Sequence, residues 1–227
     1  MPLPPGPRIR PLDWGFERPK LGTPRRVQQL HTHQLVESSP PPVLSQLGHD
    51  TGFDEVACAP TCMVMAGIAW GVIPRTASVR AAIMAAGRWG STSRAGTTVE
   101  GLGKIAEGMD IDFEQRPYVT AAGVRELLDA GAHVIVRGNS FVLPWSDPPD
   151  EPDDFSSHVV LVTRQDDQGR FVVHDPYVTD GEPRTLTAEA LEHFGEAKDN
   201  RDRPFIMGVA KMRSGLECRT YHDRRPR

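Results

Sequence analysis

Cysteine is scarce and odd in number in this 227-residue chain: Cys58, Cys62 and Cys218. Three thiols cannot close a disulfide framework, so stability has to come from a packed core. Long apolar runs are also missing. None reaches the roughly 18 unbroken residues that span a bilayer. The start, MPLPPGPRIRPLDWG, is basic and proline-rich and lacks the apolar stretch of a secretory signal. Synthesis in the cytoplasm is the expectation, with export only through a dedicated secretion system. No second close pair of ligands accompanies Cys58 and Cys62. A zinc centre would have to recruit scattered histidines such as His31, His33 or His49, so neither metal nor cofactor is expected. Nor is there a basic face on the core. Residues 1–34 hold six Arg or Lys against two acids and residues 213–227 five against two, which leaves the middle strongly acidic in a chain of net charge −4. That distribution speaks against a nucleic-acid partner.

What is present suits one globular domain. Hydrophobic residues make up 38% and charged residues 25%, enough for a sizeable core. Prolines crowd residues 1–45, in PLPPGP and SSPPPV, and mark a basic arm. The compact part is expected over 46–213, followed by a basic tail at 214–227. The run TCMVMAGIAWG, 61–71, is apolar on every side and predicts a helix buried in the core, with Pro60 in its first turn. Helices are also predicted over 76–87, over 97–108 from a Thr97/Glu100 capping box, over 120–131 and over 187–195. Strands are predicted at 111–116, 132–138 and 204–212, and SSHVVLVTRQ with RFVVHD forms a hairpin about a turn near 166–169. Helices first and a mostly antiparallel sheet after them give an α+β fold.

Three residues carry candidate chemistry. Cys58 stands just before Pro60, at the start of the buried helix. The positive end of a helix dipole favours a thiolate, the nucleophilic form, and backbone N–H groups there can hold a developing oxyanion. A free cysteine is more often simply a small buried hydrophobe, and the residue alone does not decide. His158 opens the strand HVVLVT, and Asp175 closes the partner strand ahead of Pro176. Both lie at the open end of the hairpin, where cross-strand neighbours can hydrogen bond. His174, adjacent to Asp175, should point to the opposite face. Taken singly, His158 reads as a core histidine and Asp175 as a turn carboxylate; jointly the three placements fit one mechanism. Cys62, a turn beyond Cys58, reads as packing.

CAPTCMVMAGIAWG, 58–71, resembles the Cys-Gly-Pro helix start of bacterial papain-like cysteine peptidases, most of all the bacteriocin-processing type that removes double-glycine leader peptides. SHVVLVTRQDDQGRFVVHDPY, 157–177, is similar to that family's His block, with the same His-to-Asp layout, and GAHVIVRG, 131–138, to the strand before it. The resemblance covers about 48–212. It implies a papain-like fold and amide hydrolysis by a catalytic triad, with Cys58 as nucleophile, His158 as base and Asp175 orienting the base. It departs from the pattern at two points. The glycine after the nucleophile is Ala59, and the place of the family's oxyanion glutamine, six residues before the nucleophile, is held by Gly52. Gln46 lies further up and reaches in only if 47–53 loops out.

The expected activity is therefore hydrolysis of a peptide or protein amide through a thioester on Cys58. The same triad could serve deamidation or acyl transfer, as in a toxin delivered to neighbouring cells, and an inactive papain-like binding module is the remaining alternative. The partners expected are a peptide or protein substrate and, for a toxin, a proteinaceous inhibitor or immunity protein. The acidic loop SDPPDEPDD, 146–154, directly before His158, is either a solvated loop or a rim that selects cationic substrates.

Overall fold

A computed structural model describes residues 40–116, 120–148, 150, 156–196 and 207–212. The contacts divide the chain into Met1–Glu37 and Ser38–Arg227. The first unit and the tail 214–227 lie outside the described residues. The second unit begins earlier than composition suggests: Pro41 is buried and Leu44 packs on the core, ahead of the expected boundary at residue 46.

Among the described residues, five α-helices and six strands make up the fold: α1 (Cys58–Ala69), α2 (Val79–Trp89), α3 (Val99–Gly108), β1 (Ile111–Arg116), α4 (Ala121–Asp129), β2 (His133–Asn139), β3 (Ser157–Gln165), β4 (Phe171–His174), β5 (Arg184–Leu186), α5 (Ala188–Glu196) and β6 (Met207–Met212). The strands form one sheet in the order β1-β6-β2-β3-β4-β5, with every neighbouring pair antiparallel. This is the α+β, papain-like arrangement that the sequence predicts.

Alternation along the central strands supplies two cores. Ile135, Val159 and Leu161 pack against α1, α2 and α3 on one face. Val134, Val136, Val160, Val162, Phe171 and Val173 pack on the other, with Val124 and Leu127 of α4 and Leu191 and Phe194 of α5. Helix α1 is buried along its length from Ala59 to Ala69, which is why it carries no polar face. It starts at Cys58, three residues before the predicted boundary, because Pro60 fits the first turn, where no N–H is needed. Gly71 follows with φ 70°, a left-handed turn that ends the run.

Local differences from the sequence reading have local causes. The cap of α3 is Thr98 rather than Thr97, its hydroxyl accepting from Gly101 N–H at 3.0 Å. Helix α2 starts later, with Ser78 as its cap, and does not stop at Gly87. That glycine lies inside the helix because Phe53 packs onto it: a Cβ there would sit 2.5 Å from the ring. The three-residue strand β5 has no clear sequence signal.

Candidate active site

The candidate nucleophile, Cys58, is placed by α1. Thr61 N–H is the donor that closes the first turn, onto the Ala57 carbonyl at 2.9 Å. The backbone N–H groups of Cys58 and Ala59 thus precede the helical ladder, at the positive end of the dipole. Cys58 is half-buried, whereas Cys62, one turn on, is fully buried and its thiol points at the Val159 carbonyl, 3.6 Å away. Burial, then the nearby Cys58 and Asp175, pushes the Cys62 thiol up, as befits a packing residue.

The candidate base, His158, is placed by the β3–β4 hairpin. Leu161 pairs with His174, so Asp175, one residue on, falls level with Val160 and meets His158 on the diagonal. His158 Nε2 lies 2.7 Å from Asp175 Oδ1, and both side chains are buried. A bulge between Val162 and Arg164 sets this register. Cys58 lies close enough for its charge to act on the His158 ring. With Nε2 committed to Asp175, Nδ1 is the ring nitrogen left for a further partner. The structure therefore holds His158 and Asp175 as one hydrogen-bonded pair, with Cys58 near enough to act on its charge.

The electrostatics are consistent with this geometry. Burial pushes the His158 ring down, but the hydrogen bonds and charges of Asp175 and Cys58 outweigh it and lift the ring to about 10. Burial pushes Asp175 up, and the His158 hydrogen bond and charge, with Trp145 and the Tyr177 backbone, bring it below the usual carboxylate range.

Sequence reasoning missed Trp145. Its indole N–H donates to Asp175 Oδ2 at 2.7 Å, and Tyr177 N–H donates to Oδ1 at 2.8 Å, so both carboxylate oxygens are held. Trp145 ends a short turn whose base is tied by Asn139, which accepts from Phe141 N–H at 3.2 Å and Ser156 N–H at 3.1 Å. No periodicity marks such a loop contact. Tyr177 was missed too. Its ring stands edge-on to His158, centroids 6.0 Å apart, and its hydroxyl donates to Glu55 at 3.2 Å across the rim.

Gln46 is buried beside this site. Its N–H donates to the Pro176 carbonyl and its Nε2 to the Asp54 carbonyl, each at 2.6 Å. Its Oε1 has no partner among the described residues. The intervening segment does loop out, through positive φ at Gly48, Asp50 and Gly52. The Asp54 carboxylate staples the loop by accepting from the backbone of His49, Asp50 and Thr51 and from the Thr51 hydroxyl. Most of the acidic stretch 146–154 lies outside the described residues, as do His31, His33 and Cys218. His49 Nε2 is occupied by the Ser45 carbonyl at 2.8 Å, and no group of three metal-ligating side chains occurs among the described residues.

Comparison with known proteins places this geometry in context. Residues 39–197 match the family model described as "Peptidase_C39 like family". No curated protein matches the chain by sequence. Among solved structures, the peptidase domain of Streptococcus ComA, described as a bifunctional ABC transporter involved in quorum sensing, is similar with a TM-score of 0.50 at 11% identity, covering 77% of this chain and 100% of that one. A C39-like peptidase from Bacillus anthracis gives a TM-score of 0.48 at 12% identity, over 77% of this chain and 96% of the other.

Proposed function

The chain belongs to the Peptidase_C39 like family, and from that premise we propose that it is a cysteine peptidase in which Cys58 attacks, His158 moves the proton and Asp175 orients His158. One observation carries this reading: the His158 ring is bonded through Nε2 to Asp175 at 2.7 Å and lies near enough to Cys58, at the start of α1, for the charge of that residue to act on it. Asp175 fixes the tautomer and leaves Nδ1 for the thiol.

The steps follow from the positions. The Cys58 sulfur, having passed its proton to His158 Nδ1, attacks the scissile carbonyl carbon. Negative charge develops on the carbonyl oxygen, where the Cys58 backbone N–H donates to it, with the second Nε2 hydrogen of Gln46 as the side-chain donor. Collapse breaks the C–N bond, and His158 gives its proton to the departing amine. A thioester remains. Water then attacks it, His158 takes a proton from that water, and the acid and the free thiol are regenerated. The open recess of about 630 Å³ lined by Phe53, Glu55, Val56, Thr92 and Arg94 includes residues of the segment leading into Cys58, and we assign it to substrate residues beyond the scissile bond. Deamidation or acyl transfer would use the same thioester and differ only in the group lost and the acceptor.

The test is the rate of Cys58 alkylation against pH, located by peptide mass spectrometry, in the native protein and in His158→Ala, followed by a peptide-library digest. Rapid labelling below the usual thiol range that is lost in the variant, together with cleaved peptides, is the expected result. Labelling unchanged by the substitution would overturn the reading. Products that gain the mass of a deamidation without chain cleavage would move it to the amidase alternative.

A further inference from the structure

A second recess lies toward the far end of α1, away from Cys58. It measures about 610 Å³ and is lined by Pro40, Pro41 and Val43, by His133 of β2, Thr163 and Arg164 of β3, Val172 and His174 of β4, and by Gly181 and Pro183. The proposed mechanism uses none of these residues. We propose that this recess binds a small ligand carrying an oxyanion, a carboxylate or a phosphate, through His133, His174 and Arg164.

The carrying observation is His133. It is 8% exposed, and neither of its ring nitrogens meets hydrogen-bond geometry with a partner among the described residues, although the Thr163 backbone lies close enough to raise its pKa. A buried polar side chain left in that state asks for an occupant. Its ring is stacked on Trp70, with centroids 4.7 Å apart and planes 16° from parallel, so the ring is held in one orientation. His174 is 4% exposed, with Nδ1 3.3 Å from the Pro42 carbonyl. That nitrogen has to donate, so Nε2 is the end of the ring left for another contact.

Charge selects the class of ligand. The recess is lined by one guanidinium, two imidazoles and a hydroxyl and by no carboxylate, in a chain that holds 30 Asp and Glu. A cation would meet Arg164 with nothing to balance it, and a metal ion would find two imidazoles where a stable site needs more ligands. Burial first, then the nearby His174, holds the His133 ring down at about 4, with the Thr163 backbone pulling the other way; burial first, partly offset by the Pro42 carbonyl, holds His174 below its usual range. Both rings are therefore neutral near pH 7. An oxyanion gives His133 an acceptor for its N–H, pairs with Arg164, and favours a second proton on either ring.

The site touches both supports of the triad. Trp70 caps the C-terminus of α1, the helix that begins at Cys58, and His174 immediately precedes Asp175. An occupied recess would thus stiffen the elements that hold the candidate nucleophile and carboxylate. Binding itself does not depend on the peptidase reading.

The experiment titrates inorganic phosphate, and separately acetate, into the full-length protein. The ring nitrogen signals of His133 and His174 are followed by NMR and the melting temperature is recorded in parallel. Saturable shifts of both rings at millimolar concentration or below, with a matching rise in melting temperature, are expected. The arm that saturates at lower concentration identifies phosphate or carboxylate. Arg164 is exposed, so Arg164→Ala leaves the fold intact and should weaken binding at least tenfold. His133→Phe keeps the stack on Trp70 and removes the nitrogens, and it should do the same. Absence of saturable shifts, equal binding in both variants, or the same shifts with chloride at matched ionic strength would each overturn the proposal.

Discussion

Replacing Trp145 by Phe isolates the contribution of one hydrogen bond to the candidate site. The indole donates to Asp175 Oδ2 at 2.7 Å, and Asp175 is 2% exposed, so water cannot readily replace the lost donor. A hydrogen bond to a charged group contributes about 1.5–3 kcal/mol, and a buried acceptor left without a partner costs about as much. The ring of Phe keeps most of the packing. We therefore expect a loss of about 1.5–3 kcal/mol near neutral pH, which for a chain of this size lowers the melting temperature by about 3–12 °C. The loss should depend on pH in a defined direction. Asp175 titrates below its ordinary value of 3.8, so the stability its native contacts bring is present above that value and disappears as pH falls through the lower native one. Trp145 supplies part of that stabilisation, and its share fades with the rest. Urea unfolding of both proteins at neutral and at acid pH is the assay. A gap that closes in acid is the expected result. A gap of equal size at both pH values would mean that Trp145 acts through packing alone and that the indole does not hold the charged carboxylate. Activity should fall with the same pH signature, because a carboxylate held by fewer donors orients His158 less firmly.

Further outcomes follow from other parts of the structure. The His158 ring, raised to about 10, should show no NMR titration between pH 5 and 8, and its midpoint should fall in Cys58→Ala, where one of the groups holding the proton is gone. The stability that ring contributes should be complete below its unfolded value of 6.5 and lost as pH rises through about 10, readable in alkaline unfolding curves of the native protein and His158→Ala. Gly138 pairs with His158, and α5 packs directly on it: a Cβ there would lie 2.2 Å from the Phe194 carbonyl oxygen. Gly138→Ala should accordingly cost about 1–3 kcal/mol by overpacking, measured by thermal unfolding. In the native state an alkylating reagent should modify Cys58 and spare the fully buried Cys62, as peptide mapping would show.

The parts of the fold legible in the sequence were those that repeat. The all-round apolar run of α1 and the Val-rich hairpin announced themselves through pattern, and the hairpin's near-equal arms put His158 and Asp175 within reach of each other. Their actual meeting is diagonal, because the bulge after Val162 moves the register in a way that no alternation pattern records. Boundaries were less legible. Whether Thr97 or Thr98 caps α3 depends on a single hydroxyl, and Gly87 looks like a helix stop until Phe53 is seen packed against it. Trp145 and Tyr177 were invisible as site residues, since each reaches its partner from a loop through tertiary contacts: Trp145 to Asp175, and Tyr177 to His158 and Glu55. The same holds for the pairing of His133 with Trp70, which lie far apart in the chain.

The staple at Asp54 bears on how relatives of this chain are to be sought. Residues 47–53 bulge away, while Gln46 on one side is fastened to Pro176 and to the Asp54 carbonyl, and Cys58 on the other is fastened by the helix it begins. With both ends anchored and the slack gathered by one carboxylate, the number of residues between them is free to drift without moving either side chain. A search keyed to a fixed interval before the cysteine would pass over such chains. One that asks for a glutamine, a turn-rich insert closed by an acidic residue, and then the cysteine at the head of an apolar helix would find them.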